Sequence, residues 1–258
     1  MTTIFSFVKL RLSLLNINNT KRSETNMPLK GRFIVIEGGD GSGKATQTRL
    51  LLGRLLAEGH RAKSIDFPQY EKNFYGRIIR AYLNGQFGTP TEIDPKLAGI
   101  LYCLDRFESS GEIKQLIRED IVISDRFHTA NIIHQGAKIP LKADGRLDTV
   151  KILTLVRFFE EFEFGVLRNP APNLIIYLHV YPEVAQKLME TQERVKDGHE
   201  ADVEYAKRVE QVALWASENF GWPVVECCPS RDSILTTEQI HEKIWEKTQS
   251  IIPKEDSS

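Results

Sequence analysis

From residue 38 to residue 46 the chain reads Gly38-Gly39-Asp40-Gly41-Ser42-Gly43-Lys44-Ala45-Thr46. Glycines strip the loop of side chains, so successive backbone N–H groups can turn inward on a phosphate chain while Lys44 reaches the β- and γ-phosphates. Glycine also tolerates the positive φ that such a loop requires. The segment follows an apolar run, Phe33 to Ile36, and leads into a helical pattern, Arg49 to Glu58. Strand, glycine-rich loop and helix in that order make a P-loop. One position departs from the pattern. The Ser or Thr that normally follows the lysine and holds Mg²⁺ is replaced by Ala45, with Thr46 one residue later.

Three further groups could do chemistry. Ile121-Val122-Ile123-Ser124 is an apolar stretch that closes on Asp125-Arg126. Parallel strands deliver their C-terminal residues to one edge of a sheet, so Asp125 could join the Mg²⁺ shell and Arg126 could hold a phosphate. A strand-end ion pair is the plainer alternative. Tyr102 and Arg106 stand four apart and share a helix face, an aromatic ring and a guanidinium suited to a base. A tyrosine packed under an arginine stem is the commoner outcome of that spacing. Gln192 to Glu200 is a charged break between two helical patterns, and Arg194 and Lys196 are its basic residues. Such runs are usually solvated connectors, but in a phosphotransferase a cationic flap can close on the γ-phosphate and exclude water.

The elements that must position these groups alternate apolar runs with helix-period segments, the pattern of an α/β domain with a parallel sheet. Strands are expected at Phe33–Glu37, Ala62–Phe67, Ile121–Ser124, Leu174–Val180 and Pro223–Cys227, each covered on both faces. The first helix, Thr46 to Glu58, carries Leu51, Leu52, Leu55 and Leu56 on one side and ends at Gly59. The last opens with Thr236 and Gln239 in capping-box spacing and sets Ile240, Ile244 and Ile251 on one face. The 258 residues, 41% hydrophobic, suffice for one full core. A net charge of −1 gives no basic field for nucleic acid or an anionic membrane, and no run reaches the ~18 apolar residues of a bilayer span. Cys103, Cys227 and Cys228 read as reduced thiols, which points to an intracellular, cytoplasmic chain. Residues 1–27 hold Lys9, Arg11, Lys21 and Arg22 with no acid before Glu24, a composition that fits an organelle-targeting segment but equally a dispensable tail or a misassigned start, and Met27 just before the first strand favours the latter two. Cys and His show no metal-ligand spacing, so the expected metal is Mg²⁺ arriving with a nucleotide.

From Gly31 onward the chain resembles the thymidylate kinases, nucleoside monophosphate kinases of the P-loop class. The resemblance rests on Glu37 to Gln47, Asp66-Phe67-Pro68-Gln69-Tyr70, Tyr82 to Gly88, Asp125-Arg126-Phe127 through His134-Gln135-Gly136, and Asp197-Gly198-His199-Glu200. It implies a three-layer P-loop fold, a five-stranded parallel sheet flanked by helices, with a mobile lid at about residues 192–200 and residues 1–30 as an extension outside the domain. It implies transfer of a phosphoryl group from ATP to dTMP, with Mg²⁺ as cofactor and a homodimer as the assembly. By the same resemblance Gly38 to Thr46 bind ATP. Asp40 meets the 3′-hydroxyl of the acceptor. Tyr102 stacks on thymine, Arg106 donates to its O4, and Asn131 reads its N3 edge. Arg126 and Tyr70 grip the acceptor phosphate beside Phe67. His134, next to Gln135 in the same substrate segment, takes the place of a Tyr that crowds out a ribose 2′-hydroxyl. Gly41, where some members carry Arg, matches the subgroup with its catalytic cation in the lid, here Arg194 with Lys196 behind it. Lys44, Arg126 and Arg194 are then the catalytic cations and Asp125 the metal ligand. Gln69, often Arg, departs from the pattern, as Ala45 and His134 do. Two rival readings remain: a deoxynucleoside kinase, which needs a carboxylate where Phe67 stands before Pro68, and a nucleotide-binding relative without turnover.

Overall fold

The structure, a computed structural model, describes residues 31–190 and 203–252. Five strands form one parallel sheet: β1 (Arg32–Gly38), β2 (Ala62–Asp66), β3 (Ile121–Asp125), β4 (Leu174–His179) and β5 (Val224–Glu226), in the order β2-β3-β1-β4-β5. Alternation along β1 decides the layering. Phe33 and Val35 join one core with Val122, Phe127, Val156 and Val212, while Ile34 and Ile36 join the other with Leu51, Leu55, Ile123 and Ile244. A strand apolar on both faces must be covered on both, so the sheet becomes the middle of three layers. All five strands point the same way, which brings Gly38, Asp66, Asp125, His179 and Glu226 to one edge.

The covering helices are α1 (Lys44–Ala57), α2 (Phe74–Leu83), α3 (Pro95–Leu116), α4 (His128–Ala130), α5 (Thr149–Glu160), α6 (Pro182–Glu190), α7 (Val203–Phe220) and α8 (Thr237–Thr248). Two of them run on as π-helical turns, α4 into Asn131–Gln135 and α5 into Glu161–Val166. Helix α1 ends at Gly59, φ +86°, whose N–H reaches Leu56 O while that of His60 reaches Leu55 O. Of its expected leucine stripe, Leu51 and Leu55 are buried and Leu56 is 52% exposed. Helix α8 has the expected capping box, Thr236 and Gln239 bonding each other's backbone, and buries Ile240 and Ile244. Ile251 lies past its end and packs at the core margin.

The expectation that every strand is covered on both faces fails for β2. As the outermost strand it has a single neighbour, and Lys63, Ser64 and Asp66 are exposed. Its last bond to β3 runs from Phe67 N–H to Asp125 O at 3.0 Å, and the next N–H on that side, of Gln69, turns instead to Asp105. The three cysteines are free and buried. No helix among the described residues is long and apolar enough to cross a membrane. The expected extension at 1–30 and the lid at 192–200, with Arg194 and Lys196, lie outside the described residues.

Candidate active site

The glycine loop leaves the C-terminal end of β1, the central strand, and enters α1. Gly41 and Gly43 have φ of +74° and +82°, values that side chains disfavour. A Cβ on Gly38 would stand 2.4 Å from Ser42 Oγ, and one on Gly41 would stand 2.9 Å from both Ala185 O and Met189 Cγ of α6. Position 41 thus offers neither backbone nor space for a side chain. Lys44 is buried, and its Nζ folds back across the loop to donate to Gly39 O at 2.7 Å. Burial lowers the Lys44 pKa and the neighbouring Arg126 charge adds to it, against the opposing pull of Asp125, Asp40 and Glu37. Ala45 and Thr46 sit exposed on the first turn of α1.

Arg126, one residue past β3, crosses to the same place. Its φ is +64°, an unfavourable backbone for a non-glycine residue, and its N–H is held by Ile36 O at 3.0 Å. Strain of this kind persists where surrounding contacts fix it and is common at functional sites. The Arg126 guanidinium forms an ion pair with Asp40 through Nη2, while its Nε is buried with no partner among the described residues. Burial acts to raise the Asp40 carboxyl, but the charges of Arg126, His134 and Lys44 outweigh it and hold the group well below the usual carboxylate range. Beneath the loop Glu37 is fully buried and accepts from Gly38 N–H at 3.0 Å and Thr129 Oγ at 2.6 Å. Burial raises its pKa despite the nearby Arg126.

Asp125 ends β3 opposite Asp66 of β2. Burial, then the Asp125 charge, raises the Asp66 carboxyl, so the two carboxylates repel at an edge that a divalent cation would relieve. No group of three or more His, Cys, Asp or Glu side chains among the described residues forms a metal cage by itself. Mg²⁺ typically takes one or two carboxylates and completes its shell with phosphate oxygens and water.

On the acceptor side, Phe67 is buried edge-to-face on Phe127, ring centroids 5.6 Å apart, so the position before Pro68 presents an aromatic ring and no carboxylate base. Tyr70 lies within electrostatic range of Arg126. The Pro68–Tyr70 turn is braced by residues the sequence had not singled out: Asp105 accepts from Gln69 N–H at 3.1 Å and from Asn73 Nδ2 at 3.0 Å. Tyr102 packs edge-on to Tyr82. Arg106 is buried, and its Nε and Nη2 donate to the two oxygens of Glu163 at 2.7 and 2.9 Å. Burial opposes both charges of this pair, yet each stabilises the other, raising the Arg106 pKa and lowering that of Glu163. Asn131 is buried and donates to Gly99 O at 3.0 Å. Gln135 is buried beside it, and His134 lies close enough to lower the Asp40 carboxyl. The P-loop, Asp40, Arg126, Asp125, Phe67, Tyr70 and His134 therefore share one edge, with Arg106 and Asn131 beneath it. Asp105 and Glu163 carried no local signal: Asp105 stands among charged helix residues beside Arg106 and Glu108, and Glu163 follows Glu160 and Glu161, so nothing in the pattern sets either apart.

A glycine loop at the end of the central strand, a buried lysine across it and an arginine facing it from the next strand define a P-loop nucleotide-binding phosphotransferase. The thymidylate kinase family profile matches residues 36–244, and the chain belongs to that family. It is 29% identical over 202 residues to the thymidylate kinase of Mycobacterium tuberculosis, covering 75% of this chain and 90% of that one. It is 29% identical over 215 residues to a probable thymidylate kinase of Methanocaldococcus jannaschii (82% and 93%) and 26% identical over 172 residues to that of Homo sapiens (66% and 68%). The solved thymidylate kinase of Candida albicans shares the fold, with a TM-score of 0.63 at 21% identity over 86% of this chain and 92% of that one.

Proposed function

We infer that the chain transfers the γ-phosphoryl group of ATP to the phosphate of dTMP, giving ADP and dTDP. The observation that carries this reading is the meeting of Lys44, Asp40 and Arg126 at the mouth of the loop, with a buried Arg126 Nε left to donate. The attacking group is a phosphate monoester, second pKa about 6, so it is largely dianionic at neutral pH and no base is required. Phe67 before Pro68, where a kinase acting on a nucleoside hydroxyl needs a carboxylate, agrees with that. Catalysis then consists of aligning two anions and neutralising charge as the phosphoryl group moves. The loop amides and Lys44 hold the donor; Arg126 and Tyr70 hold the acceptor phosphate; Asp40 takes the 3′-hydroxyl. Tyr102, Arg106 and Asn131 hold the pyrimidine, and His134 crowds the 2′ position. Arg194 supplies the cation of the lid. Mg²⁺, held by Asp125 and nucleotide oxygens, supplies charge neutralisation when bound.

A homodimer completes the reading. Leu97 and Phe107 on α3 are 63% and 48% exposed, and Val150 on the adjacent α5 is 68% exposed, an apolar face that a second copy would cover. ADP release with ATP, Mg²⁺ and each of dTMP, dUMP, UMP and thymidine tests the activity. Turnover is expected with dTMP, little with UMP and none with thymidine; turnover confined to thymidine would overturn the acceptor assignment.

A further inference from the structure

Five N–H donors of Arg106 are accounted for almost wholly by the protein. Nε and Nη2 form a fork on Glu163, Nη2 also lies 3.5 Å from Cys103 Sγ, and Nη1 donates to Phe127 O at 3.4 Å. Glu163 is held in turn by Asn169, whose Nδ2 donates to Oε1 at 3.0 Å. The same Cys103 sulfur accepts from Asn131 Nδ2 at 3.3 Å. Both Arg106 and Glu163 are 1% exposed. A buried ion pair of this kind is weak support for stability, since well-packed apolar side chains often do as well. Its distinctive property is geometric: a carboxylate fork fixes both the plane and the direction of a guanidinium.

The backbone is shaped for this contact. Glu163 lies in the π-helical turn that ends α5, and Asn131 opens the π-helical turn that follows α4. A π turn inserts one residue and swings side chains off the helical register, and such turns gather at functional sites. The two π-helical segments in the described residues thus meet, from different helices, around Arg106 and Cys103: Glu163 takes the guanidinium, and Asn131 donates to the Cys103 sulfur that Arg106 also approaches. Phe127 O, which accepts from Arg106, belongs to the residue directly after Arg126.

We propose that Glu163 is a positioning residue for pyrimidine recognition: it fixes the Arg106 guanidinium, and through Cys103 the Asn131 amide, and leaves a neutralised ion pair with one of the five N–H donors for the base. The proposal rests on the dTMP reading above. A neutralised pair favours a neutral carbonyl edge over an anion, and a fixed donor separates a 4-carbonyl from a 4-amino group. The test is steady-state kinetics of the full chain with dTMP, dCMP and ATP varied separately, comparing wild type, Glu163→Gln, Arg106→Met and the double variant, with thermal midpoints alongside. Glu163→Gln should raise the dTMP KM about tenfold, as loss of a charge-assisted bond does, and narrow the dTMP over dCMP preference, with the ATP KM unchanged. The double variant should be no worse than Arg106→Met in dTMP KM, because Glu163 acts through Arg106. Asn169→Ser, which loosens Glu163 without stranding a charge, should shift the dTMP KM in the same direction by a smaller factor. It keeps the test decisive if Glu163→Gln does not fold. Wild-type dTMP KM in Glu163→Gln or, failing that variant, in Asn169→Ser, whatever the thermal midpoint, would overturn the positioning role alone. Absence of dTMP turnover in the wild-type chain would overturn the dTMP reading and this role with it.

Discussion

At the scale of single residues the site is built from side chains held in unfavourable settings. Arg126 keeps a positive φ, Lys44 is buried, and Glu37 is a carboxylate in the core. Gly41 is the reverse case, a residue whose lack of a side chain is required. Gly41→Arg, which would place a cation inside the loop, meets both the strained backbone and α6. It should destabilise the fold by more than the ~1–2 kcal/mol of the φ strain alone and weaken ATP binding rather than raise turnover. Thermal melting with and without ATP reads both effects, and a variant as stable and as active as wild type would show that α6 gives way. These residues differ in how they announce themselves. The loop was legible because phosphate binding constrains backbone, and backbone constraint selects glycine. The strained turn at Arg126 was not, since an arginine there carries no mark of its φ.

Among elements, the joint between β4, β5 and α7 has a titratable pin. His179 is buried, with Nε2 2.8 Å from Glu210 of α7 and Nδ1 2.5 Å from Glu226 of β5. Carboxylates on both nitrogens suit the doubly protonated ring. The bond to Glu210 raises its pKa most, burial opposes, and Glu226 adds to the rise. A raised folded-state pKa means the stabilisation is fully present below the unfolded value, about 6.5, and is lost as pH rises through the folded value. The melting difference between wild type and His179→Gln should therefore be largest near pH 6 and shrink toward pH 9; a gap that widens with pH would contradict the assignment. Element type was readable from the chain, since Ile- and Val-rich runs alternate with helical periods. Element environment was less so. Nothing in Ala62–Asp66 says that β2 has one neighbour, and helical periodicity cannot foresee the π turns that bring Asn131 and Glu163 inward. Arg106 was legible by its spacing from Tyr102 and Asn131 by the family resemblance, whereas no spacing or motif singled out the acid that holds Arg106.

For the molecule as a whole, family membership and topology agree on one activity, and the proposed homodimer rests on the exposed apolar residues of α3 and α5. Leu97→Glu together with Val150→Glu should convert a dimer to a monomer in light scattering without loss of secondary structure; a wild-type chain already monomeric at micromolar concentration would remove that face from consideration. The activity itself is tested most directly by following the γ-phosphate. With γ-labelled ATP, Mg²⁺ and dTMP, label should appear as the β-phosphate of dTDP and should disappear in Lys44→Ala, which leaves the donor phosphates without their buried cation. Label found only as free phosphate, with none in dTDP, would contradict the assignment of a dTMP kinase.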